Sequence, residues 1–327
     1  MANCLVALFC VVAAGDSSAH LEALRATLLQ WQDLGMEFSS DIKYVSNVEY
    51  NSYGKTFPPG TLIYHKITNL CRRQGSKFYI EFTDISLPAD SGVAPGDRST
   101  RVGFDGDLLR IYTNAGNEKP NFYGQISANG VEVGKSLYAS GQGGDFLRGT
   151  QNKSAEALPS LLELISDPAY RLDWQDARET IDGRPCLVLK IQEPGEDGAA
   201  HRIWIDTERG YNYLRWDTSR RQQGPDKKPG KRTLLVQTRV HGVVLEQIDG
   251  RWFPTQGALE HVITHLPNNG AMTDRSLTVA LTNVKLGKTY SDADFFVTFP
   301  PGTRVQDGRA TGESSAQAER TPDSSKQ

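Results

Sequence analysis

The sequence predicts a mainly β protein with a few helices, an α+β chain whose strands pair as an antiparallel sheet. Three observations predict it. Apolar and polar residues alternate with a period of two along much of the chain. Asp-Gly pairs, the composition favoured in type I′ hairpin turns, punctuate that alternation at Asp105-Gly106, Asp182-Gly183 and Asp249-Gly250. The intervals between strands are too short for the helical crossovers that parallel pairing needs. The chain has 327 residues, with 36 Lys and Arg against 39 Asp and Glu and a net charge of −3. That length can bury a substantial core, and that balance excludes a general binder of nucleic acid or other polyanions. No apolar run is long enough to span a bilayer.

From the N-terminus, Cys4–Ala14 is an apolar run of the length of a signal h-region, and Ser17-Ser18-Ala19 supplies small residues for cleavage after Ala19. The segment Met1–Asn3 lacks the usual basic residue. Asn3 and Phe9 stand where a lipidated Cys4 or Cys10 would need a small neighbour, so the expectation is export without a lipid anchor. Residues 1–19 are thus read as a signal peptide, 20–305 as the folded domain and 306–327 as a disordered tail, too poor in apolar side chains to offset its ordering entropy. His20–Leu34 places Leu21, Leu24, Leu28 and Trp31 at helical spacing, with Gly35 in the place of a C′ glycine. Beyond it the period becomes two: Ile42, Tyr44, Val48 and Tyr50, then Phe78, Ile80 and Phe82, then Leu187, Leu189 and Ile191, and finally Leu277, Val279 and Leu281. Ser154–Ser166 interrupts the strands as a second helix, with Pro159 expected in its first turn. Ile-Asp-Gly-Arg occurs at 181–184 and 248–251, and Phe-Pro-Pro-Gly-Thr at 57–61 and 299–303. Their flanks differ, so these are reused turns rather than a duplication, and Pro-Gly marks a type II turn. The Lys- and Arg-rich stretch Arg220–Arg232 has the composition of a solvated hairpin loop.

Motifs of chemistry are scarce. Gly130–Ser136 has its glycines one residue too close for a phosphate-binding loop, in strand-like surroundings. His261 and His265 flank β-branched residues; on a strand they sit about 13 Å apart, too far to share a metal ion. Cys71 and Cys186 are read either as one disulfide or as two separate buried thiols, and neither has a ligand-spaced partner for zinc. No nucleophile elbow and no His-Glu-x-x-His occurs. Some strands carry bulky apolar groups on both faces, as in Tyr211–Trp216, where Tyr211 and Tyr213 share one face and Leu214 and Trp216 the other, and in Leu62–Ile67. Either the chain's own helices fill the second side, or a hydrophobic ligand does.

Three stretches together resemble the LolA/LolB-like lipoprotein carrier superfamily, which includes LppX-type lipid-binding proteins and RseB-type envelope sensors. They are the export signal followed at once by a helix and a meander; His201–Trp216, with Trp204, Asp206 and Gly210 in the places of W-x-D-x-x-x-G; and Asp294–Val305, whose last turn is Pro301-Gly302. The resemblance implies a curled antiparallel sheet forming an unclosed half-barrel around a hydrophobic cavity, covered by helices. It gives no residue for a lid arginine. This chain is also longer, with extra loops near Asp84–Arg98 and Gly141–Lys153.

The expectation is a periplasmic or cell-envelope protein, not an enzyme, that holds a lipid, acyl chain or lipoprotein without cofactor or metal. Ile42, Tyr44, Tyr64, Phe78, Ile80 and Phe82 are its expected ligand-binding residues. Its expected partners are a lipid or acylated protein, with peripheral membrane contact and no nucleic acid. An envelope sensor or protein-interaction module with a self-filled cavity is the alternative, and an unrecognised hydrolase ranks below both.

Overall fold

A computed structural model of the chain describes residues 2–52, 55–84, 98–115, 122–127, 160–195, 198–223, 233–265 and 270–308. Expectations falling elsewhere, including the glycines of 130–136, Pro159 and most of the tail, lie outside the described residues.

One large unclosed sheet dominates. It is laid down as two meanders that meet at a central strand, β1 (Met36–Ser46). On one side run β4 (Thr61–Gln74), β5 (Lys77–Asp84), β6 (Arg98–Phe104), β7 (Leu109–Ala115) and β8 (Phe122–Ser127). On the other, β15 (Gly270–Leu286) pairs with β1. From it the sheet continues through β14 (Arg251–His265), β13 (Thr233–Ile248), β12 (Asn212–Gln223), β11 (Ala200–Asp206) and β10 (Arg184–Gln192) to the edge strand β9 (Arg171–Ile181). Every pair is antiparallel until the last: β16 (Arg304–Asp307) lies parallel against β8, so the expected antiparallel sheet is mixed at that edge. A separate hairpin, β2 (Tyr50–Ser52) with β3 (Lys55–Phe57), bridges β1 and β4.

The turns follow their sequences. At Asp182-Gly183 and Asp249-Gly250 the four residues all take positive φ (49°, 77°, 49° and 78°), as a type I′ turn requires. Asp105-Gly106 differs. The side chain of Asp105 accepts the backbone N–H groups of Asp107 (3.0 Å) and Leu108 (2.8 Å), stabilising a wider loop in which only Gly106 is left-handed. The repeated Pro-Pro-Gly-Thr strings fold alike: Thr61 N–H donates to Pro58 O and Thr303 N–H to Pro300 O, each at 3.2 Å, around Gly60 (φ 85°) and Gly302 (φ 84°).

Helix α1 runs unbroken from Ala2 to Asp33, through the expected cleavage point. Its buried stripe is Leu24, Leu28 and Trp31, and Trp31 meets Phe253 of β14 edge-on at 5.3 Å between ring centroids. Thr27 donates to Gly210 O (3.1 Å) and Arg25 to Ile165 O (3.2 Å), which tie the helix to the β11–β12 turn and to the short helix α2 (Leu161–Ser166). The backbone N–H of Ser160, next to α2, donates to Glu163 (3.3 Å). Gly35 is needed for a different reason than its place after α1 suggests. Its φ is not left-handed; a Cβ there would lie 1.7 Å from Lys288 O, because the chain before β1 presses against the segment after β15. Cys71 and Cys186 are free thiols, both buried, on β4 and β10. Burial pushes the Cys186 thiol up to about 11, so it behaves as a small hydrophobe.

Candidate functional site

The register of the strands sorts side chains onto two faces of very different character. On one, Phe78, Ile80 and Phe82 of β5 lie in line with Arg73, Cys71 and Thr68 of β4 and with Met36, Phe38 and Ser40 of β1. The same face continues through Ile42, opposite Val279, into the second meander. There one cross-strand row runs Leu189, Ile203, Trp216 and Val240, all fully buried, then Leu259, Leu277 and Tyr44, all half-buried. The row thus opens toward solvent where β14, β15 and β1 meet.

Beside it, one step further along the strands, the same face turns polar through Ile191, His201, Thr218, Thr238, His261 and Arg275. His261 Nδ1 sits 2.7 Å from Asp274, whose other oxygen is 3.4 Å from Arg275 Nε; Arg275 also donates to the Tyr44 hydroxyl at 3.2 Å. This polar rim therefore borders the half-open end of the apolar row. Deeper in, His201 is almost wholly buried. Trp216 Nε1–H donates to its Nδ1 (3.3 Å), which leaves Nε2–H to face Glu193 (3.4 Å). Burial holds His201 below the usual histidine range despite the opposing pull of Glu193, so it is neutral at pH 7. His261 and Asp274 form a His–carboxylate pair; no hydroxyl or thiol hydrogen-bonds to His261 among the described residues.

The opposite face is charged. Its rows run Asp173, Lys190, Arg202, Asp217, Arg239 and Glu260, then Arg171, Gln192, Ala200, Ser219, Gln237 and Val262. Trp204 lies on it between two guanidinium groups, Arg202 at 4.8 Å and Arg215 at 4.7 Å from its ring, and donates Nε1–H to Glu179 (2.8 Å). A groove of about 460 Å³ follows these two rows, floored by the small side chains of Ala200 and Ser219. In the first meander the same face is occupied by the chain's own C-terminal segment. A Cβ on Gly103 would meet Phe295 O at 2.2 Å, one on Gly124 would meet the Phe299 ring at 2.9 Å, and Phe296 lies 3.8 Å below the Arg110 guanidinium.

Of the six residues expected from sequence, Ile42, Phe78, Ile80 and Phe82 lie on the apolar face within the main core. Phe78 packs on Phe104 (5.9 Å) and Phe82 lies under Lys66 Nζ (4.3 Å). Tyr44 is half-buried at the rim, and Tyr64 pairs with it across β4, its side chain being outside the described residues. The half-open stretch at Leu259 and Leu277, the rim at His261 and Arg275, and the charged groove were missed. Alternation could have placed Leu277 with Leu259 only after the β14–β15 register was known. The sequence also misplaced Tyr213 and Trp216 on opposite faces. A bulge at Leu214 puts both rings on the apolar face, where they touch edge-on at 5.7 Å.

No family model and no curated protein matches the chain. Among solved structures it is similar to a DUF1329 family protein from Desulfovibrio piger, at 16% identity over 85% of this chain and 96% of that one, TM-score 0.43. It is also similar to an outer membrane lipoprotein-sorting protein domain from Vibrio parahaemolyticus, at 10% identity over 84% and 95%, TM-score 0.39. A third likeness is to the Pseudomonas aeruginosa MucA/MucB complex, at 11% identity over 84% of this chain and 100% of that one, TM-score 0.20.

Proposed function

We propose that this is an exported, non-enzymatic protein of the cell envelope that holds the acyl part of a lipid or acylated protein against its apolar sheet face. In this reading residues 1–19 are removed, and the domain that follows forms a half-barrel covered by the rest of α1 and by α2, with β16 along one edge. One observation carries it: the apolar row passes from full burial at Trp216 and Val240 to half-exposure at Leu259, Leu277 and Tyr44, beside the polar rim of His261 and Arg275. An acyl chain laid along that opening gains about 0.8 kcal/mol per methylene buried, while its polar end meets the rim. Ile42, Phe78, Ile80 and Phe82 form the floor behind it. No reacting group is required of the protein.

Titration of the full chain with cis-parinaric acid tests this. Saturable binding is expected, weakened at least tenfold by Leu277→Asp at unchanged unfolding midpoint. Equal binding by both proteins refutes the assignment.

A second reading, an envelope sensor or protein-interaction module with a self-filled interior, is favoured by the near-complete burial of Ile42, Ile80, Leu161 and Leu164. It predicts no acyl binding by either protein.

A further inference from the structure

The charged groove lies on the sheet face opposite the apolar row and is a separate candidate site. Its β9–β10 end concentrates cations. Arg171 and Lys190 are exposed diagonal neighbours on paired strands, and Arg202 stands directly across from Lys190 on the next. Arg171 has no ion pair among the described residues, and Lys190 donates only to the Gln175 side-chain oxygen (2.9 Å). Gln175 in turn donates to Asp173 (3.1 Å), so that carboxylate is held by an amide rather than by Arg171 or Lys190, while Glu179, the partner of Arg202, attracts Lys190 from further off. Further along, Arg239 is already matched by Asp217 (3.5 Å), and Arg202 pairs with Glu179. The uncommitted positive charge thus sits at one end of the groove. Its floor and far wall offer neutral hydrogen-bonding groups, the Ser219 hydroxyl and the Gln237 amide, whereas the Gln192 amide, beside Arg171, donates to the carbonyls of Glu193, Gly198 and Ala199. Exposed Arg221, two residues beyond Ser219 on the same face of β12, adds a positive charge beside the groove.

A fork-shaped guanidinium beside an ammonium suits a phosphate, and adjacent hydroxyl and amide groups suit an alcohol. A volume of about 460 Å³ is that of a small-ligand pocket. We propose that this groove binds a phosphorylated polyol, with the phosphate held by Arg171 and Lys190 and the hydroxyl groups directed to Ser219 and Gln237. The same chemistry is offered by free glycerol phosphate and by the headgroup of phosphatidylglycerol.

The test titrates the full chain with sn-glycerol 3-phosphate by calorimetry, and with vesicles of phosphatidylcholine with and without phosphatidylglycerol by co-sedimentation. Saturable binding in the first arm assigns the soluble source; binding only to phosphatidylglycerol vesicles assigns the headgroup. In either case Arg171→Gln combined with Lys190→Gln weakens binding at least tenfold, and Lys285→Gln, on β15, leaves it unchanged. Ser219→Tyr, which keeps every charge and fills the floor, also weakens it at least tenfold. No binding in either arm overturns the site. So does undiminished binding by Ser219→Tyr, which would mark diffuse surface attraction instead.

Discussion

Trp31 is the most exacting test of how α1 sits on the sheet. Its ring is 3% exposed and meets Phe253 edge-on, yet its indole N–H is buried with no hydrogen-bond partner among the described residues. Trp31→Phe keeps an aromatic ring against Phe253 and deletes the unmatched donor. The smaller ring forfeits about 40 Å² of apolar burial, or about 1 kcal/mol. Removing an unsatisfied buried donor returns about 1–3 kcal/mol. The two nearly cancel, so Trp31→Phe leaves stability within about 1 kcal/mol of wild type or raises it. Trp31→Ala removes the donor too but opens a cavity under the helix, at a cost of about 3–5 kcal/mol. Urea unfolding followed by circular dichroism separates them. With m about 2–3 kcal/mol/M, Trp31→Ala lowers the midpoint by about 1–2 M, whereas Trp31→Phe does not lower it measurably. If Trp31→Phe is as damaging as Trp31→Ala, the N–H has a partner and the geometry above is wrong. If Trp31→Ala is silent, α1 is not docked.

Three other outcomes follow from the same physics. Because burial depresses His201, the unfolded chain takes up a proton first as pH falls. Stability is therefore present above the ordinary histidine pKa of about 6.5 and declines below it; a melting temperature that rises from pH 7 to pH 5.5 contradicts this. Further loss follows in the carboxylate range. Glu37 is held low by its hydrogen bond from Lys285 (2.6 Å), against desolvation and with help from Arg72 (3.0 Å), so its contribution disappears as pH drops through its folded value; Lys285→Met should shift that acid limb to higher pH. Gly35→Ala forces a methyl group to within 1.7 Å of Lys288 O and should cost more than about 3 kcal/mol, whereas Gly75→Ala, in an open turn with φ 59°, should cost only about 1 kcal/mol in thermal or urea unfolding.

What the sequence discloses is what is local. Period-two alternation marks β1, β5, β10 and β15, and Asp182-Gly183, Asp249-Gly250 and the Pro-Pro-Gly-Thr strings specify their turns because a left-handed φ is set by one or two adjacent residues. The helical spacing of Leu24, Leu28 and Trp31 likewise reports a single face. What it conceals depends on register between distant segments. The bulge at Leu214 is invisible until Trp204 is seen opposite Arg215 and Ile205 opposite Tyr213. The role of Gly35 exists only where the β1 and β15 ends converge. The charged groove arises from Ala200 and Ser219 becoming neighbours across two strands, although neither stands out in its own strand. The covering of that charged face in the first meander has a similar origin: Phe295, Phe296 and Phe299 reach Gly103, Arg110 and Gly124 from between 175 and 192 residues away in sequence. Alternation puts Ile42, Phe78, Ile80 and Phe82 on one face, which is the apolar one, but does not show where that face opens, which is set by the pairing of β14, β15 and β1.

The most direct test of lipid holding is mass spectrometry of the organic extract from the protein purified without detergent from its native cells. A holder of acyl chains should release a lipid or fatty acid in stoichiometric amount, and Leu277→Asp should release far less. An extract free of acyl compounds, from wild-type protein that also fails to bind cis-parinaric acid, contradicts lipid holding and leaves the self-filled interaction module in its place.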